Sequence, residues 1–206
     1  PKLILIAEFT GDTEEEVAAN LRKAEKEIKE KFEIKTHITK DAEETQKYWT
    51  IRRESFNLLR QHSQGLHTAP FIDDIVVHPK DLPEFLPKLN KIFEKYPKLI
   101  YTIAGHAGDA NFHIIPLMDL SKDDQRQIIP QLWDEVYDLV LEYKGSITAE
   151  HNDGLIRTPY LEKMYGGQIT DLFKQVKQIF DPLNIFNPRK KVGADKQYLL
   201  DHIKHK

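Results

Sequence analysis

Cysteine is absent from the 206 residues. Neither a disulfide framework, an iron–sulfur cluster nor a thiol nucleophile can reside in this chain, and any redox chemistry needs a cofactor. No apolar run approaches the roughly 20 residues that span a bilayer, and the opening PKLILIAEF is too short for the apolar region of a signal peptide plus a cleavage site. The chain therefore reads as soluble, with a cytoplasmic location expected. Acids and bases are interspersed to a net charge of −3, and no basic cluster is interleaved with aromatics, which argues against a nucleic-acid surface. GxGxxG, a Walker loop and GxSxG are all missing, so no phosphate cradle is visible.

What is present is enough for one substantial core, since 40% of the residues are hydrophobic and the length is ordinary for one domain. The chain begins with Pro1 and opens straight into apolar residues, so a fragment of a longer polypeptide is expected. Leu3 to Phe9 reads as a buried strand, and Thr13 with Glu16 forms a capping box ahead of a helix to about Phe32. Glu33 to Thr39 alternates as a second strand, and Asp41 opens a helix to about His62. Gln61 to Ala69, with His62 and His67, reads as a loop. Phe71 to His78 is a strand whose two acids, Asp73 and Asp74, are expected on opposite faces, which argues against a paired-carboxylate site. Pro79 starts a helix, and Ser121 caps another that runs to about Lys144. Thr158 and Pro159 begin a short helix, Ile169 to Phe180 forms a further amphipathic one, and DPLNIFNPRKKVG is too rich in Pro and Asn to continue it. Strands are too few and connections too varied for a doubly wound fold. The pattern predicts an α+β domain over residues 1–206, an antiparallel sheet with helices mainly on one face.

Chemistry concentrates in two stretches. In GHAGDANFH, His106 ends the apolar run Leu99 to Ala104 and His113 follows a turn, so an antiparallel hairpin brings the two imidazoles together; Asn111 shares the face of His113. In GSITAEHNDG, a strand-like run from Ser146 to Ala149 precedes Glu150 and His151. Two His and a carboxylate are a minimal ligand set for a divalent ion with an open position, and the remaining His is free to move protons. Half-buried, hydrogen-bonded histidines are the plainer alternative.

These motifs, followed by FDPLNIFNPRK, closely resemble the C-terminal domain of FAD-linked oxidases of the vanillyl-alcohol-oxidase type. That group includes D-lactate dehydrogenases, the FAD subunit of glycolate oxidase and D-2-hydroxyglutarate dehydrogenase. The resemblance covers the helix around Trp49 to about Lys191. It implies a ferredoxin-like cap or substrate domain, with an FAD-binding domain of the same polypeptide upstream. It further implies that His106, His113 and Glu150 hold zinc, manganese or iron against a 2-hydroxy acid, and that His151 takes the hydroxyl proton as a hydride leaves for FAD. Arg53 would grip the substrate carboxylate through its planar fork, Asn111 would contact substrate, and Asn187 would lie near the isoalloxazine ring. Ile185 and Phe186 would then belong to a surface covered by the FAD domain. The resemblance leaves the electron acceptor open, and any membrane attachment would be peripheral, through the full-length protein. Ala110 and Asn152 stand where the family usually has glycine. A lysine that some relatives place near Ile72 for a second substrate carboxylate is missing. Two other readings stay open: a binding or assembly domain that keeps only the fold, and a flavin-independent metal hydrolase.

Overall fold

The computed structural model describes residues 4–62 and 65–203. The chain divides into two compact units, residues 1–61 and 62–206. In the first, α1 spans Glu14–Lys31 and α2 spans Ala42–His62. Thr13 caps α1 as the sequence predicts: its hydroxyl accepts from Glu16 N–H at 3.2 Å, while Glu16 Oε2 accepts from Asp12 N–H at 2.9 Å. Asp41 does the same for α2, accepting from Glu44 N–H at 2.8 Å. The two strands expected in this unit are not formed. Residues 4–10 and 33–39 make no ladder, and Ile4, Leu5, Ile6 and Ile34 are exposed. Alternation supplies only a two-faced segment, and a strand needs a partner edge as well. Leu3, where the first of them was expected to begin, lies outside the described residues.

The second unit carries the sheet. Its elements are β1 (His67–Thr68), β2 (Ile72–Val76), α3 (Leu82–Glu94), β3 (Ile100–His106), β4 (Asn111–Met118) and α4 (Asp123–Glu142). Beyond these lie α5 (Gly154–Arg157), α6 (Leu161–Tyr165), α7 (Gly167–Phe180) and α8 (Lys196–Asp201). Strand β4 is central: β3 pairs along one edge of it, and β1 and β2 share the other, all antiparallel. This is an α+β domain, as the sequence predicts. Pleat alternation sends Ile114 and Met118 into a core closed by Phe85, Leu89 and Phe93 of α3 and by Leu132, Trp133, Val136 and Val140 of α4. Spacings of four and of three and four place those side chains on one stripe of each helix. Asn111 and His113 therefore point to the opposite face.

Two local departures and one close approach matter. Pro79 opens a short 3-10 turn, and the α-helix proper starts at Leu82. Ser121 does not cap α4: Lys122 is the N-cap residue without a side-chain cap bond, and the Ser121 hydroxyl donates to Asp119 Oδ1 instead. Gly145, after α4, is required by a close approach. A Cβ there would lie 2.4 Å from Val76 O, far inside contact distance. That approach lets Val76 and Ser146 exchange both backbone hydrogen bonds at 2.9 Å, which ties the segment after α4 to the end of β2.

Candidate active site

The hairpin β3–β4 delivers the first pair of imidazoles. Its register sets His106 opposite Asn111 and Ala104 opposite His113, and the two rings lie 5.6 Å apart and nearly perpendicular. The turn between them contains Ala110 at φ +54°, a left-handed position where alanine is mildly strained. Gly105 has no such latitude, because a Cβ there would sit 2.2 Å from Asn111 O.

Glu150 and His151 arrive by another device. The strand expected over Ser146 to Ala149 is not formed beyond the single bridge at Ser146. The N–H groups of Ala149, Glu150 and His151 turn instead onto one oxygen of Asp74, at 2.8, 3.1 and 2.9 Å. Three successive donors converging on one acceptor bend the chain, so neighbouring side chains that would diverge on a strand both reach the site. Asn152, at φ +68°, completes the bend, in keeping with asparagine's tolerance of that region.

Asp74 itself is fully buried, with φ at +64° in a register shift between Ile72 and Ile75. That bulge overturns the expectation that Asp73 and Asp74 serve different faces, because an extra residue re-aims the side chains that follow it. Asp74 Oδ1 also accepts from the Asn111 amide at 3.2 Å. Burial alone would raise the Asp74 carboxyl, but the backbone donors of His151, Ala149 and Glu150 and the Asn111 amide together hold it below the ordinary carboxylate value. Arg157, also buried, donates to Ile147 O, Asn152 O and Asp73 O at 2.7, 2.8 and 2.6 Å. One guanidinium nitrogen lies 3.9 Å from Asp74 Oδ2.

On this frame three imidazoles converge. Glu150 Oε1 lies 3.2 Å from His106 Nε2, 3.1 Å from His113 Nε2 and 3.4 Å from His151 Nε2. Asp73 stands behind two of them, with Oδ1 3.1 Å from His113 Nδ1 and Oδ2 3.0 Å from His151 Nδ1. The hydrogen bond to Asp73 raises the pKa of His113 above the usual imidazole value, against the opposing effect of burial. His106, His151 and Glu150 stay about half exposed, whereas the His113 side chain is 10% exposed. The site is therefore anchored on one side and open on the other.

The donor set fits a divalent ion. His106 Nε2 and His113 Nε2 lie 3.2 and 3.1 Å from Glu150 Oε1, three donors from separate elements, and Asp73 backs His113 as a carboxylate commonly backs a metal-binding imidazole. Asp74, His113, Glu150 and His151 each offer a ligand atom within 4.8 Å of the others, a group that includes His151 and leaves out His106. Asp74 is the poorest of these, since its oxygens are already taken by backbone donors.

A family model described as FAD linked oxidases, C-terminal domain, matches residues 2–191. The chain belongs to this family. Among its relatives in the FAD-linked oxidases, the D-2-hydroxyglutarate dehydrogenase of Haemophilus influenzae is 26% identical over 191 residues, which cover 90% of this chain and 18% of that protein. Glycolate oxidase subunit GlcD of Bacillus subtilis is 29% identical over 194 residues, 94% of this chain and 40% of the relative. The mitochondrial D-lactate dehydrogenase (cytochrome) of Arabidopsis thaliana is 31% identical over 153 residues, 74% and 26% of the two chains. The chain thus spans two-fifths or less of the length of these relatives.

The structure brings together His106, His113, Glu150 and His151. Asn111 sits beside them but is buried, its amide donating to Asp74 and to Ile75 O at 3.1 Å. Arg53 lies exposed on α2 in the first unit. Asn187 is exposed at φ +44° in the segment after α7. Ile185 and Phe186 beside it are 64% and 67% exposed, on a turn organised by Asp181, which accepts from both their N–H groups. Sequence reasoning missed Asp73, Asp74 and Arg157. Two adjacent acids inside an otherwise apolar strand were the available signal for the first two, since a buried carboxylate needs donors. Nothing comparable marked Arg157. No described helix is long and apolar enough to cross a membrane.

Proposed function

We propose that this chain is the substrate- and metal-binding part of a flavin-dependent dehydrogenase that oxidises a 2-hydroxy acid of the D-lactate or glycolate type. The observation that carries the reading is the convergence of three histidine Nε2 atoms on one carboxylate oxygen at 3.1–3.4 Å. His106, His113 and Glu150 would hold a divalent ion (zinc, manganese or iron), and FAD would be bound mainly by a further domain of the same polypeptide. When bound, the ion supplies Lewis-acid polarisation to the substrate hydroxyl, and FAD supplies the acceptor for a hydride.

The chain's own residues do the rest. His151 Nε2, half exposed beside the ligand set, takes the hydroxyl proton; the C2 hydrogen leaves with its electron pair, and a 2-oxo acid results. General-base help of this kind contributes about 10²–10⁴-fold. Arg53 is the proposed partner of the substrate carboxylate. Asn111, buried as it is, contributes most directly by holding Asp74 and through it the Glu150–His151 bend. Asn187, with the exposed apolar pair Ile185 and Phe186, is the proposed contact toward the flavin. The location proposed is cytoplasmic, with any membrane attachment peripheral.

The test is dye-coupled turnover of the full-length flavoprotein with D-lactate, glycolate and D-2-hydroxyglutarate. At least one is expected to be oxidised, and His151→Ala is expected to lower the rate by about 10²–10⁴. Absence of turnover with all three, in protein that binds FAD, would leave the binding-module reading in its place. Hydrolase activity without flavin would favour the metal-hydrolase reading instead.

A further inference from the structure

The two histidines that differ most in proposed role, a ligand and a base, share one acceptor. Asp73 Oδ1 lies 3.1 Å from His113 Nδ1, and its Oδ2 lies 3.0 Å from His151 Nδ1. The two rings are stacked, 4.7 Å apart and within 5° of parallel. A neutral imidazole has one donor nitrogen and one acceptor nitrogen, and an ionised carboxylate only accepts. Among the described residues the ring hydrogen bonds of this pair both run between Nδ1 and Asp73, so in the neutral rings Nδ1 carries the hydrogen and Nε2 presents a lone pair. Those Nε2 atoms are the ones 3.1 and 3.4 Å from Glu150 Oε1. Asp73 does not itself face that point. Its side chain is 15% exposed, its carbonyl is gripped by Arg157 at 2.6 Å, and the next residue is the bulged, buried Asp74. The carboxylate is held from both sides of its backbone.

We infer that Asp73 is a positioning residue which locks His113 and His151 in the same tautomer, so that one carboxylate prepares both a metal ligand and the proton acceptor. This rests on the metal-and-base reading above. It differs from a structural ion pair in what it requires: the tautomer must be set before any ion arrives, and it must change when one oxygen of the carboxylate becomes an NH₂ group. Asparagine at this position has one acceptor and one donor group, so it can satisfy only one imidazole as before. The other must present its Nδ1 lone pair and move its hydrogen to Nε2, where it blocks the site.

The experiment is two-bond proton–nitrogen correlation NMR on the metal-free, ¹⁵N-histidine-labelled chain at alkaline pH, paired with zinc titration against a chromophoric chelator. In the wild type, His113 and His151 are both expected as Nδ1–H. Either one found as Nε2–H overturns the inference, and this measurement needs no variant to fold. In Asp73→Asn, one of the pair is expected to switch to Nε2–H and zinc affinity to fall about 10–100-fold. Asp73→Glu, which keeps two acceptor oxygens, is expected to restore the tautomer and most of the affinity. An Asp73→Asn protein with both tautomers and zinc affinity unchanged would also overturn it. Wild-type protein that fails to bind zinc would contradict the metal reading, while the metal-free tautomers would still decide the role of Asp73.

Discussion

Replacing Asp74 by asparagine tests the frame of the site with little change of shape. Asparagine suits the backbone at φ +64° as well as aspartate does, so the substitution removes chiefly a charge and an acceptor. In the native chain Oδ2 takes N–H groups at 2.8, 2.9 and 3.1 Å from Ala149, His151 and Glu150. Hydrogen bonds to a charged group contribute about 1.5–3 kcal/mol each, and neutral ones about 0.5–1.5. Neutralising the acceptor therefore loses about 1 kcal/mol on each of three bonds, or about 3 in all. Arg157, buried 3.9 Å from the same oxygen, loses its counter-charge too, which brings the loss into the ~3–5 kcal/mol range of a broken buried pair. At ~2–4 °C per kcal/mol for a chain of this size, Tm is expected to fall by about 6–20 °C. Calorimetry and urea unfolding measure it. The acid side supplies a second reading. Because the folded pKa of Asp74 is lowered, its stabilisation is present above the unfolded carboxylate value of about 4 and lost as pH falls through the folded one. That segment of the stability profile is expected to vanish in Asp74→Asn. A loss under about 1 kcal/mol with an unchanged acid profile would refute the argument that this carboxylate shapes the bend.

Other outcomes follow from the same geometry. Gly145→Ala forces a Cβ to within 2.4 Å of Val76 O, and a stability loss of about 1–3 kcal/mol or more is expected in urea unfolding. In zinc titration, His113→Ala and His106→Ala are each expected to lose more than the ~10–100-fold typical of outer-shell changes; zinc retained in both would end the ligand assignment. Zinc affinity is expected to fall with pH from above about 6.5, the ordinary imidazole value, because the raised pKa of His113 means the proton competes earlier. The metal-free protein runs the other way: the stability from protonated His113 is complete below about pH 6.5 and is lost as pH rises through the raised folded pKa. Asn187→Ala in the full-length protein is expected to weaken flavin binding or slow flavin reduction while circular dichroism stays unchanged, and unaltered values for both would make the segment structural only.

The parts of the fold legible in the sequence are those governed by local rules. The Thr13 and Asp41 caps, the apolar stripes of α3 and α4, and the β3–β4 hairpin all follow from nearest-neighbour chemistry and period. The hairpin alone was enough to pair His106 with His113. The strands expected over Leu3 to Phe9 and Glu33 to Thr39 are not formed among the described residues, because alternation says which faces a segment has and not whether an edge awaits it. Of the Glu150–His151 bend the sequence carries only the turn-forming Asn152, Asp153 and Gly154 that follow it. Its cause, Asp74 accepting from three successive N–H groups some 75 residues away in sequence, depends on a bulge, and a one-residue shift of register leaves no periodic trace. The same bulge hid Asp73, whose expected face was reckoned from an unbroken strand. Arg157 was invisible because its partners are three carbonyl oxygens, which carry no sequence identity.

The most direct test is anaerobic reduction of bound flavin in the full-length protein, watched by absorbance as 2-hydroxy acid is mixed in a single turnover. The expected result is bleaching by at least one of D-lactate, glycolate and D-2-hydroxyglutarate, slowed about 10²–10⁴-fold in His151→Ala with flavin still bound. Flavin that stays oxidised with all three acids, or that bleaches at the same rate without His151, would contradict the proposed function.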